Sequence, residues 1–288
     1  MTTIHPTAII DPSATLAESV VVGPYCVIGP EVRLGAGTLL HNHVIVQALT
    51  TIGENNEIYP FAVLGADPQD RKFQGERAFC VIGDRNRIRE HVTVHRGTAN
   101  GGYYTRIGND NLIMVAAHIA HDCQINDHIT IANQVMLAGH VLVENGANIG
   151  GGAGLHHFVT VGVCSFVGAM ARISKDVPPF MIVEGNPAEV RAVNSIALNR
   201  RGYGPKDIDA LKHAYRRLFR DNDATMAEKL ATIRQELAGV EAVTVLCDAL
   251  AATAIGIHGR ALEQNRVDDK RAVLVQTQPP PQQAQPAS

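Results

Sequence analysis

An aliphatic residue recurs at every sixth position through most of this 288-residue chain. From Ile4 to Leu64, each step of six residues reaches Ile, Leu or Val, and the same phase returns over residues 82–94. Shifted by one residue, the pattern then continues without exception from Ile107 to Ile173. A repeat of this length constrains the fold more than any other feature of the sequence.

A period of six fits neither an α-helix nor an alternating strand. It indicates a short strand and a turn, repeated, with one aliphatic side chain pointing inward each time. Small residues after the inward position, as in Ile28-Gly29 and Val161-Gly162, permit tight corners. The repeat resembles that of the hexapeptide acyltransferases, which implies a left-handed parallel β-helix whose triangular coils each contain three hexads. Residues eighteen apart would then stack at strand spacing.

Two interruptions divide the repeat, and a helical pattern follows it. Loops are predicted at residues 66–80 and 95–106, within a β-helix assigned to residues 1–190. Residues 191–263 form a predicted small C-terminal helical domain, because aliphatic stripes at helical spacing run through residues 208–219 and 226–237. A third helix is predicted over residues 241–262. Residues 264–288 form a Pro/Gln-rich tail that we expect to be disordered.

Composition excludes several classes of protein. The net charge of −3 gives no indication of nucleic-acid binding, and no stretch approaches the apolar length of a membrane span. The five cysteines are widely spaced and form no CxxC pair, which favours a reducing compartment over a disulfide framework. The N-terminus lacks the features of a signal peptide. We therefore predict a cytoplasmic protein.

The stretch HIAHDC, residues 118–123, is the centre of a histidine cluster. Stacking places Gly139 one coil above His121 and His157 two coils above it, with further histidines in the same region. His118 is expected near a corner. Asp122 is expected to point away from His121 along the strand, unless a corner turns it back. The histidines of the cluster are His95, His118, His121, His140, His156 and His157.

Three interpretations of this cluster remain open at this point. A metal site is the first. A bound ion needs at least three protein ligands whose side chains are oriented by further contacts, and the zinc carbonic anhydrases of the hexapeptide type supply such ligands from histidines. Solvated surface histidines are the second possibility. General-base chemistry is the third, because the pKa of histidine lies near working pH and Asp122 can orient the ring of His121. Gly139 would offer a backbone N–H where an oxyanion develops.

Several motifs together resemble the UDP-N-acetylglucosamine O-acyltransferase family. They are HIAHDC, LAGHV, LHHF, DVPPF, GNPA and NRRGY with the QDRK loop, and the resemblance extends to about residue 262. It implies transfer of a 3-hydroxyacyl group from acyl carrier protein to the 3-hydroxyl of UDP-N-acetylglucosamine, the first step of lipid A biosynthesis. It also implies a homotrimer. No metal and no cofactor are expected, because the donor carries its own phosphopantetheine arm.

The resemblance implies a role for each candidate residue. His121 would be the general base, Asp122 its partner in a dyad, and the N–H of Gly139 the oxyanion donor. Sugar and pantetheine contacts would come from the histidine cluster and from the loop at residues 66–80. A nucleotide-binding stretch would follow the β-helix, with an arginine pair at a helix start. The implied substrate-binding residues are Gln69, Asp70, Lys72, His95, His118, His140, His156, His157, Asn194, Arg200 and Arg201.

The chain departs from the family pattern at a few positions. His157 stands where Gln is usual, and Ile196 replaces an acidic residue on the nucleotide side. Ala169, with Phe166 nearby, replaces the glycine that limits the acyl chain in long-chain members. The resemblance implies that this position stops the methyl end of the acyl chain. Because Ala169 adds a methyl group to that wall, an acyl donor of roughly 10–12 carbons is predicted.

Four other functions remain as alternatives to acyl transfer to the 3-hydroxyl of UDP-N-acetylglucosamine. They are acyl transfer to a 3-amino UDP-sugar, acyl transfer to another sugar, a zinc carbonic anhydrase, and a non-catalytic trimeric scaffold.

Overall fold

The computed structural model describes residues 2–267 of the chain, and the tail predicted at residues 264–288 lies mostly outside them. Short strands make up most of the described part. They are β1 (Thr3–Ile4), β2 (Ile9–Ile10), β3 (Thr15–Leu16), β4 (Val21–Val22), β5 (Val27–Ile28), β6 (Arg33–Leu34), β7 (Leu39–Leu40), β8 (Ile45–Val46), β9 (Thr50–Ile52), β10 (Glu57–Ile58), β11 (Val63–Ala66), β12 (Phe79–Ile82), β13 (Arg87–Ile88), β14 (Thr93–His95), β15 (Tyr104–Ile107), β16 (Leu112–Ile113), β17 (His118–Ile119), β18 (Gln124–Ile125), β19 (Thr130–Ile131), β20 (Met136–Leu137), β21 (Leu142–Val143), β22 (Asn148–Ile149), β23 (Gly154–Leu155), β24 (Thr160–Val161), β25 (Phe166–Val167), β26 (Arg172–Ile173), β27 (Met181–Gly185) and β28 (Ala188–Val193).

From β1 to β26 the strands belong in turn to three sheets, so the chain coils as a three-sided parallel β-helix. The predicted fold class, a left-handed β-helix followed by a small helical domain, is confirmed. Sheet 1 contains β1, β4, β7, β10, β13, β16, β19, β22, β25, β27 and β28. Sheet 2 contains β2, β5, β8, β11, β14, β17, β20, β23 and β26, and sheet 3 contains the remaining strands. Paired residues are eighteen apart in regular coils, as in Thr3 with Val21.

The two loops explain how the aliphatic phase is kept or lost. Across the first loop, Glu57 pairs with Arg87, a separation of thirty residues, so the insertion adds two whole hexads and the phase survives. Across the second loop, Thr93 pairs with His118, a separation of twenty-five, so the insertion adds one hexad and one residue. The shift of phase at Ile107 follows from that extra residue.

The core is the column of inward aliphatic side chains. Ile52, Ile88 and Ile113 are at most 1% exposed, and each such burial contributes about 1.5–3 kcal/mol. A buried polar ladder runs beside them, in which the Oδ1 of Asn56 accepts the N–H of Asn86 and the Oδ1 of Asn86 accepts the N–H of Asn111. These side chains satisfy turn amides that stacking alone leaves unpaired.

The β-helix ends in a hairpin and a small group of helices. Strand β28 pairs antiparallel with β27 and runs to Val193, so the boundary assigned at residue 190 falls inside this strand. The helices are α1 (Ser195–Arg200), α2 (Pro205–Phe219), α3 (Met226–Glu236) and α4 (Glu241–Ile255), with 3-10 helices at Ala99–Gly101 and Ala261–Asn265.

Three details of the C-terminal prediction were wrong. The helical pattern missed α1, which is too short for a periodic signal. The helix predicted over residues 241–262 ends at Ile255, where Gly256 leaves the helical conformation. Residues Gln264 and Asn265 belong to the last 3-10 helix, so the start of the predicted disordered tail was placed too early. In the described residues, no helix combines the length and hydrophobicity needed to cross a membrane.

Candidate active site

His121 and Asp122 lie side by side at a corner between sheets 2 and 3. The Nδ1 of His121 is 2.7 Å from the Oδ2 of Asp122, whose side chain is wholly buried. Asp122 has a φ of 62°, in the left-handed region that Asp tolerates better than most residues. The corner therefore turns the carboxylate back to the His121 ring, which is one of the two orientations that the sequence left open for Asp122.

The second loop satisfies the buried carboxylate. Asp122 Oδ1 accepts the backbone N–H of Thr98 at 2.8 Å, and Oδ2 accepts the Thr98 hydroxyl at 2.6 Å. The backbone N–H of Asp122 donates to the Thr105 Oγ1 at 2.7 Å. Gly101 passes so close that a Cβ there would meet the carboxylate at 1.9 Å. With Nδ1 engaged by the carboxylate, the Nε2 of His121 is the atom left to exchange a proton.

Gly139 lies directly against the His121 ring, as the stacking predicts. A Cβ at this position would sit 2.5 Å from the Cε1 of His121, so only glycine allows the approach. Within residues 2–267 the backbone N–H of Gly139 makes no hydrogen bond. A donor without a partner beside the reactive nitrogen suits the charge that develops in acyl transfer.

His140 forms the next layer above the dyad. Its ring stacks on Phe158 with 4.3 Å between centroids and meets the His121 ring edge-on at 5.2 Å. Its Nε2 lies 3.7 Å from the Oδ2 of Asp122. Burial lowers the pKa of His140 to about 4, against the opposing attraction of Asp122. His140 is therefore neutral at physiological pH and can position a ligand by hydrogen bonding without adding charge.

His118 and His95 lie on the other side of His121. His118 begins the two-residue strand β17, and its Nδ1 is 2.8 Å from the Thr93 hydroxyl. The His95 ring meets His118 edge-on at 4.8 Å. Burial, and then the proximity of His118 and His121, lowers the pKa of His95 to about 4. The Nδ1 of His95 is buried and has no hydrogen-bond partner among the described residues.

An apolar groove of about 680 Å³ runs along sheet 2 from this cluster. The dyad residue His121 and Gly139 lie on its wall, and so do Gln69 of the first loop and His156. Its apolar walls come from successive coils and include Ala120, Met136, Leu137, Leu155 and Ile173. The groove is therefore shaped and lined for an aliphatic chain.

A smaller polar pocket of about 220 Å³ opens on the other side of His121. The loop at residues 66–80 lines it with Gln69, Asp70 and Lys72. The loop is fixed locally, because the Asp70 Oδ1 accepts the backbone N–H of Lys72 at 3.1 Å. These residues share the pocket with His121, Gly139, His140, His157, Phe158 and Arg266.

His156 and His157 are adjacent but face different spaces. Their ring centroids are 3.8 Å apart, with His156 on the apolar groove and His157 on the polar pocket. Burial, followed by His156 and Arg266, lowers the pKa of His157 to about 4. His157, which stands where the family usually has Gln, is thus neutral at physiological pH. Its imidazole can still donate one hydrogen bond and accept one, as an amide side chain can.

The predicted nucleotide residues line a separate pocket of about 780 Å³ beside sheet 1. The Nη2 of Arg201 donates to the carbonyl of His128 at 3.2 Å, and its guanidinium covers Gly146. Asn194 caps α1, since its side chain accepts the N–H of Ala197. Arg200 ends α1 and Arg201 follows it, so their predicted place at a helix start was wrong. Within one chain, this pocket shares no lining residue with the two around His121.

The two residues predicted to limit acyl-chain length, Phe166 and Ala169, lie in different places. Phe166 lines the pocket beside sheet 1 together with Ile196. Ala169 is exposed at the corner that leads into β26, three residues before Arg172, which lines the apolar groove. Ala169 itself does not line the groove within one chain, so its role in limiting the acyl chain stays a prediction.

His121, Asp122 and His140 also form a possible metal-ligand set, with one donor atom from each within 4.8 Å of the others. The carboxylate in this set already accepts two hydrogen bonds from Thr98 and faces the Nδ1 of His121. Binding an ion would require rearranging that network. The arrangement fits a hydrogen-bonded dyad better than a three-ligand site.

Sequence reasoning missed three residues that the fold brings to the site. Thr98 and Thr105 come from the second loop. The sequence predicted that this loop interrupts the repeat, but nothing in it singled out either threonine. Arg266 comes from beyond the motifs, in the last residues described. No local pattern marks any of the three, because each reaches the site through a contact distant in sequence.

A coiled stack of hexapeptide repeats, with a His–Asp pair between an apolar groove and a polar pocket, defines a hexapeptide-repeat acyltransferase. Residues 176–258 match the family described as UDP N-acetylglucosamine O-acyltransferase, domain 2. The chain is 42% identical over 257 residues to the acyl-[acyl-carrier-protein]–UDP-N-acetylglucosamine O-acyltransferase of Thermodesulfovibrio yellowstonii, covering 89% of this chain and 99% of that protein. The chain belongs to the UDP-N-acetylglucosamine O-acyltransferase family, and it is an O-acyltransferase.

Solved structures agree with this assignment. The UDP-N-acetylglucosamine O-acyltransferase of Moraxella catarrhalis superposes with a TM-score of 0.82 at 44% identity, covering 85% of this chain and 95% of that one. The UDP-N-acetylglucosamine acyltransferase of Bacteroides fragilis superposes with a TM-score of 0.84 at 33% identity, covering 86% and 97%. Both the β-helix and the helical end are therefore shared with the family.

Proposed function

We propose that this chain transfers a 3-hydroxyacyl group from acyl carrier protein to the 3-hydroxyl of UDP-N-acetylglucosamine, the first step of lipid A biosynthesis. The observation that carries the proposal is the position of the His121–Asp122 pair between the apolar groove and the polar pocket. An acyl chain fits the first space and a sugar fits the second, which brings the two reacting groups to the Nε2 of His121.

The proposed reaction needs only this chain's own groups and the two substrates. The Nε2 of His121 takes the proton from the sugar hydroxyl while its oxygen attacks the thioester carbon. Asp122 stabilises the resulting imidazolium, and the N–H of Gly139 stabilises the oxyanion. The tetrahedral intermediate then expels the pantetheine thiolate, which takes the proton from His121. The acyl–oxygen bond replaces the acyl–sulfur bond, and no further cofactor is required.

The neutral histidines around the dyad support a binding role. His95, His118 and His140 have pKa values lowered by burial, so at neutral pH they form hydrogen bonds without repelling a protonated His121. In this proposal His118 and His140 orient the sugar, and His95 contacts the substrate at the edge of the groove. Gln69, Asp70 and Lys72 contact the sugar and the pantetheine arm, while His156 and His157 line the two spaces.

We also propose that the working form is a homotrimer. Asn194, Arg200 and Arg201 lie beside sheet 1, whereas the dyad lies at the far edge of sheet 2. A neighbouring copy that packs sheet 1 against sheet 2 brings the nucleotide residues to the dyad. Mixing His121→Asn chains with Arg201→Ala chains tests this, because shared sites restore activity in hybrid trimers. A monomeric mass in solution, or no recovery on mixing, contradicts it.

The proposed activity is tested by incubating the purified chain with UDP-N-acetylglucosamine and 3-hydroxyacyl thioesters of acyl carrier protein. We expect an ester at the sugar 3-hydroxyl. The same assay with a 3-amino UDP-sugar tests the amide-forming alternative, and stronger turnover of that acceptor would replace the proposed one. A cytoplasmic location remains a prediction of the sequence.

One observation favours a second candidate, a zinc carbonic anhydrase, since His121, Asp122 and His140 are close enough to share an ion. Metal analysis of the purified protein separates the two. We expect chelation to leave acyl transfer unchanged, because the Asp122 carboxylate already serves Thr98 and His121. Stoichiometric zinc that is lost together with activity would favour the second candidate.

A further inference from the structure

The last described residues reach the active site although they lie beyond the stretch that matches the family's second domain. That match ends at residue 258, and the chain continues into the 3-10 helix Ala261–Asn265. Arg266 follows this helix and lines the polar pocket with Asp70, His140 and Phe158. A segment beyond the family's second domain thus supplies one wall of the space beside His121.

The segment is anchored firmly to the end of the β-helix. The backbone N–H of Ala261 donates to the Oδ2 of Asp176 at 2.8 Å. Arg260 and Glu263 are a buried ion pair, 6% and 4% exposed, with the Nε of Arg260 donating to the Oε2 of Glu263 at 2.9 Å. The Nη1 of Arg260 also donates to the carbonyl of Ser174 at 2.6 Å. A buried pair with this many hydrogen bonds fixes the position of whatever follows it.

Arg266 is oriented by the same carboxylate and by the pocket wall. Its Nη1 is 3.5 Å from the Oε1 of Glu263 and 3.4 Å from the Nε2 of His157. Its Cζ lies 5.8 Å from the centre of the Phe158 ring. Glu263 therefore connects a buried arginine to one that faces the pocket. The guanidinium is held in place before any ligand binds, which reduces the entropy lost on binding.

The two arginines differ in exposure, and the difference separates their roles. The Arg260 side chain is 7% exposed and serves the fold. The Arg266 side chain is 25% exposed and borders the pocket that contains His121 and Gly139. An arginine guanidinium presents paired donors that match phosphate oxygens.

We propose that Arg266 binds a phosphate group of a substrate in the polar pocket and that the Arg260–Glu263 pair positions it there. The inference rests on the proposed function, in which both substrates carry phosphate. The sugar nucleotide carries a diphosphate, and the acyl donor carries the phosphodiester of its pantetheine arm. The same chemistry serves either, so the kinetic test determines which one Arg266 contacts.

The test compares Arg266→Gln, Arg266→Lys and wild type in the acyl-transfer assay, with KM measured separately for UDP-N-acetylglucosamine and for the acyl donor. Arg234→Gln is the matched control, because Arg234 pairs with Asp248 on the surface of the helical region. Direct binding of UDP-N-acetylglucosamine by calorimetry provides a reading that does not depend on turnover.

We expect Arg266→Gln to raise the KM for one substrate about tenfold, with kcat within about twofold of wild type. A higher calorimetric dissociation constant assigns the sugar nucleotide, and an unchanged one with a raised donor KM assigns the pantetheine phosphate. Arg266→Lys should recover much of the loss, since it restores the charge. Added salt should raise this KM in wild type more than in Arg266→Gln.

The inference is overturned if Arg266→Gln changes neither KM by more than the Arg234→Gln control, whatever its thermal stability. It is also overturned if Arg266→Gln lowers kcat alone, or if Arg266→Lys is no better than Arg266→Gln. Those outcomes leave the proposed function intact as long as the wild type transfers the acyl group. A wild type that neither binds UDP-N-acetylglucosamine nor transfers acyl groups overturns both.

Discussion

Thr98 holds Asp122 with two hydrogen bonds, one from its backbone N–H at 2.8 Å and one from its hydroxyl at 2.6 Å. The two residues lie in different elements, since Thr98 precedes the 3-10 helix of the second loop and Asp122 forms a β-helix corner. The contact makes the loop a part of the dyad, because it fixes the carboxylate that orients His121. A loop that breaks the repeat thereby completes the site.

Thr98→Val should lower kcat about tenfold. The substitution keeps the backbone N–H and the side-chain shape but removes one donor to a buried carboxylate, and a hydrogen bond to a charged group contributes about 1.5–3 kcal/mol. Steady-state kinetics with Thr232→Val as the control, whose hydroxyl bonds within α3, measures the effect. An unchanged kcat would show that the backbone N–H alone holds Asp122.

His121→Asn should reduce transfer by roughly 10²–10⁴-fold while the protein stays folded. Asparagine can still bond to Asp122, but it offers no basic nitrogen toward the acceptor hydroxyl. Turnover is measured beside circular dichroism, with His5→Asn in the exposed first coil as the control. Wild-type turnover in His121→Asn would remove this residue from the role of general base.

Stability should fall as pH drops from about 6.5 toward 4, and His95 should contribute to the loss. Its pKa is about 4 in the folded protein and near 6.5 in the unfolded chain, so the unfolded state binds more protons in this window. The contribution of neutral His95 to the free energy of unfolding is fully present above pH 6.5. About 2 kcal/mol of it is lost as the pH falls from 7 to 5. Melting curves should show a smaller decrease for His95→Gln. Equal decreases would place the acid sensitivity elsewhere.

Arg201→Ala should raise the KM for UDP-N-acetylglucosamine about tenfold more than the KM for the acyl donor. The guanidinium lies over Gly146 at the edge of the pocket beside sheet 1, where it can pair with a diphosphate. Initial rates with each substrate varied in turn give both constants, and Arg216→Ala on α2 is the control. An equal KM for the sugar nucleotide in mutant and wild type would contradict the assignment.

The preferred donor should have about 10–12 carbons, and Ala169→Gly should move the preference toward 14. Ala169 lies at the corner before β26, whose residues Arg172 and Ile173 line the groove. If the acyl chain continues past this strand, removing the Ala169 methyl makes room for added methylenes, each contributing about 0.8 kcal/mol. Competition between donors of different length gives the ratios of kcat/KM. If wild type prefers 14 carbons, or if the ranking survives in Ala169→Gly, the acyl chain ends elsewhere.

The six-residue repeat by itself determines most of the fold. Burial of one aliphatic residue per hexad is a local requirement that every coil repeats, so its period specifies strands, corners and stacking together. The stacking also placed Gly139 against His121, since residues one coil apart must meet. The hand of the coil and the roles of the site residues came from the family resemblance, because the period carries neither.

Only the tertiary structure decided how the site is completed. The left-handed conformation of Asp122, the two bonds from Thr98 and the approach of Arg266 join residues from a corner, a loop and the C-terminal segment. The structure also separates Arg201 from the dyad within one chain. Such contacts depend on where inserted loops and the C-terminal segment pack, and packing between distant segments leaves no period in the sequence. The repeat therefore determined the scaffold, while long-range contacts determined the chemistry placed on it.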